Sequence, residues 1–334
     1  MTQIYDARGN LYAVMTPGAL RDLGIDLPRE AAEAAANRRQ WAEAAIAATC
    51  NWPANQAPAG AKAHRSDGLL IGPFQEQAPY DVLIVNTDGT LAERSGNGLT
   101  IFCQFLKDSG QLQQPAFALR VHHDNAGLPS PVHTRAETAT VDDRQGFWLD
   151  LGTPAFGPAA VGAPGPGVTP GELNGHAVSR VAKLVQLRPT WDHSLFVRIG
   201  NPHCVTLLPN ADALPDFTAL HEEPLNSGLT RIAFTAGDLG AGEPCPGGVN
   251  LQWAWVSGPN QILARVFERG EGPTASSGTS ASAVASACWR TGQVQSGLVK
   301  VSMPGGTAPV QLIKENGELQ QVLLFGVARI QGTD

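Results

Sequence analysis

Two serines stand at matching places in the chain. Ser95 is followed by Gly96, Asn97 and Gly98, and Ser277 by Gly278, Thr279 and Ser280. Each lies nine residues after a polar residue that ends an apolar run, Asn86 after VLIV and Glu268 after ILARVF. Each then runs fifteen residues to a glycine followed by glutamine and an apolar residue, Gly110 and Gly292. Matching landmarks predict two copies of one strand–turn–helix unit, each supplying half of a site. Serine ahead of a helix is a favoured N-cap, because its oxygen accepts a first-turn N–H. That structural role alone accounts for either residue. The same corner can also do chemistry. Unpaired N–H groups and the helix dipole favour an anion. Two such termini gripping one carboxylate would ease formation of a carbanion beside it. A group on each face of that carbon could remove a proton and return it from the other side, the arrangement a racemase or epimerase needs.

Elements must hold these corners in place. LTIFCQFLKDSG carries apolar residues at Leu99, Ile101, Phe102, Phe105 and Leu106, predicting a buried helix that ends at Gly110. ASAVASACWRTG predicts a second, small-residue helix ending at Gly292. The chain opens on two strands joined at Arg8-Gly9-Asn10, a turn signal that explains Asn10 structurally. Residues 28–49 read as an Ala-rich helix, 51–60 and 156–171 as Gly/Pro-rich loops, and 210–223 as a further helix. The polar gap Asp124 to Pro131 is the candidate domain boundary. Many strands and few long helices predict an α+β protein. Its domains are expected at 1–128, joined by a C-terminal strand at 321–334, and at 129–320.

Bulk properties narrow the function. The 334 residues are 43% hydrophobic, enough for two cores, with net charge −7. No basic footprint points to nucleic acid. No spanning run, lipidation motif or signal peptide points to a membrane, so a cytoplasmic protein is expected. The cysteines, five in number, lack CxxC spacing, which argues against a disulfide framework or zinc site. His122 and His123 on a strand face opposite ways and cannot share a metal. There is no G-x-S-x-G elbow, P-loop or HExxH.

Further motifs complete a pattern. In order they are Gly9-Asn10, Asn86-Thr87-Asp88-Gly89, Ser95-Gly96-Asn97-Gly98, Gly200-Asn201-Pro202-His203, Asn250, Glu268-Arg269-Gly270-Glu271-Gly272-Pro273-Thr274, Ser277-Gly278-Thr279-Ser280, and Met303-Pro304-Gly305-Gly306. This series resembles the diaminopimelate epimerase family, within the cofactor-independent amino-acid racemases and epimerases. The resemblance implies two pseudo-symmetric α+β domains, each a mixed sheet wrapped around a central helix. It implies an isomerase that needs no cofactor and takes a small amino acid as its partner, and it leaves a homodimer open. The α-carboxylate would rest on the amides of Gly96, Asn97, Gly278 and Thr279. Asn86, Asn201, Asn250 and Arg269 would hold a distal carboxylate, Arg269 by its planar fork. Glu268 and Asn10 would meet an ammonium group. Ser95 and Ser277 would be the catalytic pair, with His203 and Glu268 tuning proton transfer.

The chain departs from the family at the chemistry. Both corners carry cysteine in the family and serine here, and Asp67-Gly68-Leu69 stands where the family has a glutamine. A thiol with pKa near 8.5 is a ready base at a helix N-terminus, whereas an unassisted hydroxyl is a poor one. Three readings stay open. The serines could have been introduced into a cysteine enzyme. They could mark altered chemistry, such as an isomerase or dehydratase using one assisted base. Or the chain could be a non-catalytic amino-acid binder.

Overall fold

The structure is a computed structural model that describes residues 2–53, 56–163, 165 and 167–333. The two Gly/Pro-rich loops read from sequence include residues 54, 55, 164 and 166, and the expected domains include residues 1 and 334; these lie outside the described residues. The chain divides into two compact units, Met1–Asp150 with Gly326–Asp334, and Leu151–Phe325. The division falls after Asp150 rather than in the polar gap at 124–131. The reason is strand pairing: the strand after the gap, Val132–Val141, runs antiparallel to Ala116–Val121 before it.

The first unit is one mixed sheet. Its strands are β1 (Gln3–Ala7), β2 (Asn10–Met15), β3 (Gly68–Ile71), β4 (Tyr80–Asn86), β5 (Ala116–Val121), β6 (Val132–Val141) and β7 (Arg144–Asp150). They pair in that order, parallel at β2–β3 and β4–β5 and antiparallel elsewhere. The strand at Arg329–Thr333 returns to lie antiparallel to β1. Two-residue alternation sorts the side chains between two faces. Tyr12, Val14, Leu70, Val82 and Ile84 pack with the Gly96–Asp108 helix. Ala13, Met15, Leu69, Ile71, Leu83 and Val85 pack with Ala34, Trp41, Ala45 and Ile46. The Ala-rich segment does not form one helix. It breaks into Ala31–Ala36, a turn of 3-10 helix at Arg38–Gln40, and Ala42–Thr49. Trp41 sits fully buried at the second break and donates its indole N–H to the Ala34 carbonyl.

The second unit repeats the plan. Its strands are β8 (Ala155–Phe156), β9 (Val168–Leu173), β10 (His176–Val181), β11 (Ser194–Ile199), β12 (Asn201–Leu207), β13 (Asn250–Gly258), β14 (Gln261–Glu268), β15 (Gly272–Thr274), β16 (Gly297–Met303), β17 (Gly306–Glu315) and β18 (Glu318–Gly326). Parallel pairs β12–β13 and β14–β16 interrupt an otherwise antiparallel sheet. The Gly278–Arg290 helix is buried from Gly278 to Cys288 and packs on Val197, Ile199, Val205, Leu207, Ala264 and Val266. Its small side chains let it sit this deep. Ser282 and Ser286 are fully buried, and each hydroxyl donates to the carbonyl one turn back. The other face carries Phe196, Cys204, Leu251, Trp253 and Phe267. The expected helix at 210–223 is instead two 3-10 turns, Ala211–Ala213 and Ala219–His221, followed by a helix at Leu225–Ala233. Pro215 lies between the two turns and supplies no backbone N–H to continue the first. No helix among the described residues is long and apolar enough to cross a membrane.

Candidate functional site

The corner of the first unit is a capped helix. Ser95 has an extended backbone, and its Oγ accepts the Gly98 N–H at 3.0 Å. A Cβ at Gly98 would lie 3.1 Å from that oxygen, so the tight cap favours glycine there. The cap satisfies the third helical N–H and leaves those of Gly96 and Asn97 without an intrahelical acceptor. Asn97 is buried and donates from Nδ2 to Asn10 Oδ1 at 3.2 Å, bringing two of the expected site residues together. Asn10 is the first residue of β2. The tight turn itself is Arg8-Gly9, both at positive φ, with Ala7 opposite Asn10. Asn86 ends β4 and donates from Nδ2 to Thr90 Oγ1 at 2.9 Å, inside its own turn. Its Oδ1 is left for other partners.

The corner of the second unit has the same cap and a carboxyl beside it. Ser277 is extended, and its Oγ accepts the Ser280 N–H at a long 3.4 Å. The N–H groups of Gly278 and Thr279 are left for an anion. Burial pushes the Glu268 carboxyl up from the ordinary 4.5 to about 7, and Glu271 adds to the rise. The nearby Ser277 hydroxyl opposes the rise by favouring the charged form. Thr274 also favours the charged form, although its Oγ1 stops short of hydrogen-bond geometry. Glu268 is placed by a hairpin: β14 ends on it, Gly270 and Gly272 take positive φ, and Gly272 pairs back opposite Glu268. Gly305 seats the segment before Ser277. Its N–H donates to the Ala275 carbonyl at 2.7 Å, and a Cβ there would crowd Ala275 and Ser276 at 3.1 Å.

His203 is fully buried on β12, opposite Asn250 in the parallel register. Burial and the nearby Arg269 lower its pKa to about 3, against the pull of the Ile199 carbonyl. A ring held neutral in this way is a poor proton carrier. Gln252 fixes it, donating from Nε2 to His203 Nδ1 at 3.0 Å and to Ser280 Oγ at 3.0 Å. That assignment leaves the proton on His203 Nε2. Sequence reasoning passed over Gln252. The signal was a lone amide in the apolar strand NLQWAWV. Asn250 Oδ1 accepts the Arg269 N–H at 2.9 Å, and Arg269 Nη1 donates to the Gly247 carbonyl at 3.2 Å. The Asn201 side chain makes no hydrogen bond among the described residues.

The two corners differ in their acid–base partners. Ser277 has Glu268 next to it. Ser95 follows Arg94, whose guanidinium donates to the His133 carbonyl and to Thr134 Oγ1. The cysteines in the two helices do not replace a corner thiol. Cys103 and Cys288 are fully buried, and burial raises both pKa values, that of Cys288 to about 12.

The family model described as diaminopimelate epimerase matches residues 195–330. Diaminopimelate epimerase 2 of Nostoc sp. is 29% identical over 256 residues, 74% of this chain and 74% of that one. The diaminopimelate epimerase of Burkholderia thailandensis is 28% identical over 268 residues, 79% of this chain and 81% of its own. The chain is thus similar to diaminopimelate epimerases over about three quarters of its length. Solved structures share the fold at low identity. A Bacillus anthracis phenazine biosynthesis protein of the PhzF family superposes with a TM-score of 0.59 at 11% identity, covering 98% of this chain and 96% of that one. A methylitaconate-delta-isomerase gives 0.57 at 16%, covering 98% and 92%. A hydroxyproline epimerase from Agrobacterium vitis, with trans-4-hydroxy-L-proline bound, gives 0.55 at 14%, covering 99% and 89%. Similarity to diaminopimelate epimerases supports an isomerase family for the chain. It leaves the substrate and the serine chemistry to be argued.

Proposed function

We propose that this protein is an isomerase that moves the proton on the carbon beside a carboxylate of a diaminopimelate-like α-amino acid. The observation that carries the reading is the Glu268 carboxyl, held near neutral pKa against the Ser277 hydroxyl. Above pH 7 the carboxylate is a base. The Cα–H bond breaks, its proton goes to Ser277 Oγ, and the Ser277 proton passes to Glu268. The negative charge moves onto the substrate carboxylate, where the N–H groups of Gly278 and Thr279 stabilise it. Gly96 and Asn97 offer the same kind of donors, and the reading has the ligand engage both serine corners. Once the proton on Ser277 has exchanged with solvent, its return to the same face gives exchange with retention. Delivery from Ser95 to the opposite face gives inversion, with solvent restoring the Ser95 proton. The relatives' diaminopimelate, together with Asn86, Asn201, Asn250 and Arg269, supports a substrate with a distal acid group.

The asymmetry of the corners favours a second reading within the same family. With an assisted base only at Ser277, the enzyme would shift a proton on one face, as a proton-shift isomerase that does not invert the centre. One experiment separates the two. LL- and meso-diaminopimelate and the matched 2-aminoheptanedioate are incubated with the protein in deuterated buffer, then analysed by mass spectrometry and chiral chromatography. Deuterium with inversion supports epimerisation, and deuterium with retention supports one-face transfer. Absence of deuterium from every substrate would sink both.

A further inference from the structure

Gln252 is a polar residue where the sheet otherwise packs apolar side chains on its helix. It pairs with Val205 on β12 and with Val266 on β14, and both valines lie in the helix-packed core. His203 pairs with Asn250, and the register that sets Leu251 opposite Phe267 carries Asn250 opposite Glu268. Alternation puts all of these on one face. His203, Asn250 and Glu268 thus form a row across three strands, and Gln252 sits in the next row toward the core. It is fully buried there, so it reaches a ligand only through its neighbours. Its Nε2 spends one hydrogen on His203 Nδ1 and the other on Ser280 Oγ, each at 3.0 Å. Ser280 in turn gives its N–H to Ser277 Oγ. One amide therefore ties the polar row to the serine corner. Two buried atoms keep no hydrogen-bond partner, Gln252 Oε1 and His203 Nε2; the Ile199 carbonyl acts on the ring without reaching hydrogen-bond geometry. Turning the amide over would strand both of its hydrogens as well as His203 Nε2, a worse arrangement than the one observed.

We propose that Gln252 is a positioning residue that locks His203 as its Nε2–H tautomer, so that the row of Asn250 and Glu268 offers a ligand carboxylate one fixed, neutral donor. The inference rests on the amino-acid reading above and adds a residue to it. A nitrogen that accepts a hydrogen bond must keep its lone pair, so acceptance at Nδ1 leaves the ring proton on Nε2. The same bond resists a second proton at Nδ1 and stops the ring from turning over. Nε2–H is then the buried donor for which the protein supplies no acceptor, and a carboxylate oxygen completes it. A donor already aimed needs no reorganisation when that carboxylate gains charge as the Cα proton leaves.

Nitrogen NMR of the histidine-labelled protein tests this, because a bare imidazole nitrogen resonates far downfield of a protonated one. The His203 pair is the one lost in His203→Asn. In the native chain Nε2 should carry the proton and Nδ1 should be bare; a proton on Nδ1 overturns the proposal whatever the variants do. Gln252→Glu accepts where glutamine donates, so it should move the proton to Nδ1. Gln252→Met does neither and should leave two averaged signals. Either variant keeping the native pattern overturns the lock. Deuterium exchange into diaminopimelate should fall in both, by about tenfold or more in Gln252→Glu, the scale of one hydrogen bond to an ionised group. Exchange at the native rate after the proton has moved overturns the positioning role. If the native chain exchanges no substrate, the isomerase reading falls and calorimetric titration with LL-diaminopimelate replaces that arm. Binding weakened about tenfold in Gln252→Glu then upholds the role of Gln252, and unchanged binding or none overturns it.

Discussion

Replacing Glu268 by glutamine should stabilise the protein at alkaline pH and change little at acid pH. The carboxyl rises from 4.5 to about 7 on folding, chiefly through burial. That rise corresponds to about 3 kcal/mol at roughly 1.4 kcal/mol per pKa unit. The sign follows from proton counting. Between pH 4.5 and about 7 the folded chain holds the proton and the unfolded chain releases it, so stability falls as pH rises. Below 4.5 the contribution is fully present, and above the folded value it is gone. Glutamine cannot ionise and is close to glutamate in size, so the variant escapes this loss. Thermal unfolding of both proteins from pH 4 to 8.5 is the assay. A gap of about 3 kcal/mol moves Tm by about 6–12 °C for a domain of this size. Parallel curves across the window would refute the reasoning, since they would mean the folded carboxyl titrates as it does unfolded.

Other changes probe the corners. Ser277→Ala should cost about 1 kcal/mol as a lost cap and abolish deuterium exchange, while Ser277→Cys should raise exchange by supplying a more acidic group; unfolding and mass spectrometry read the two effects. Ser95→Ala should cost a similar cap energy yet retain exchange and lose inversion, which chiral chromatography detects. Gln252→Leu strands His203 Nδ1 and Ser280 Oγ in the core and should destabilise the protein by about 2 kcal/mol or more in urea unfolding. Gly326→Ala would put a Cβ 2.0 Å from Thr100 Oγ1, the hydroxyl that donates to the Gly96 carbonyl. It should cost about 1–3 kcal/mol as overpacking, partly relieved by Thr100→Ala in the same unfolding assay.

Much of this was legible because local rules act alone at the places concerned. Serine followed by glycine ahead of an apolar helix has few other uses than a cap, and both serines cap their helices. The opening hairpin and the two 13-residue helices follow from turn residues and apolar spacing. What was not legible depends on partners far along the chain. The boundary at 150 rests on β6 choosing β5, and a polar gap in the sequence carries no record of that pairing. Gln252 acquires its meaning only when parallel pairing sets β13 beside β12, and when the Gly278–Arg290 helix brings Ser280 within 3.0 Å. The motif places His203 where it would tune proton transfer, and only its burial in the fold shows that its pKa is held at about 3. Glu268 beside Arg269 looks like a surface pair in sequence, yet desolvation controls its carboxyl.

The most direct test is the pH dependence of solvent deuterium incorporation at the substrate's Cα, compared in the native chain and Glu268→Gln. The account predicts a rate that climbs through pH 7 in the native chain and all but vanishes in the variant. An unaltered rate and profile in Glu268→Gln would contradict it.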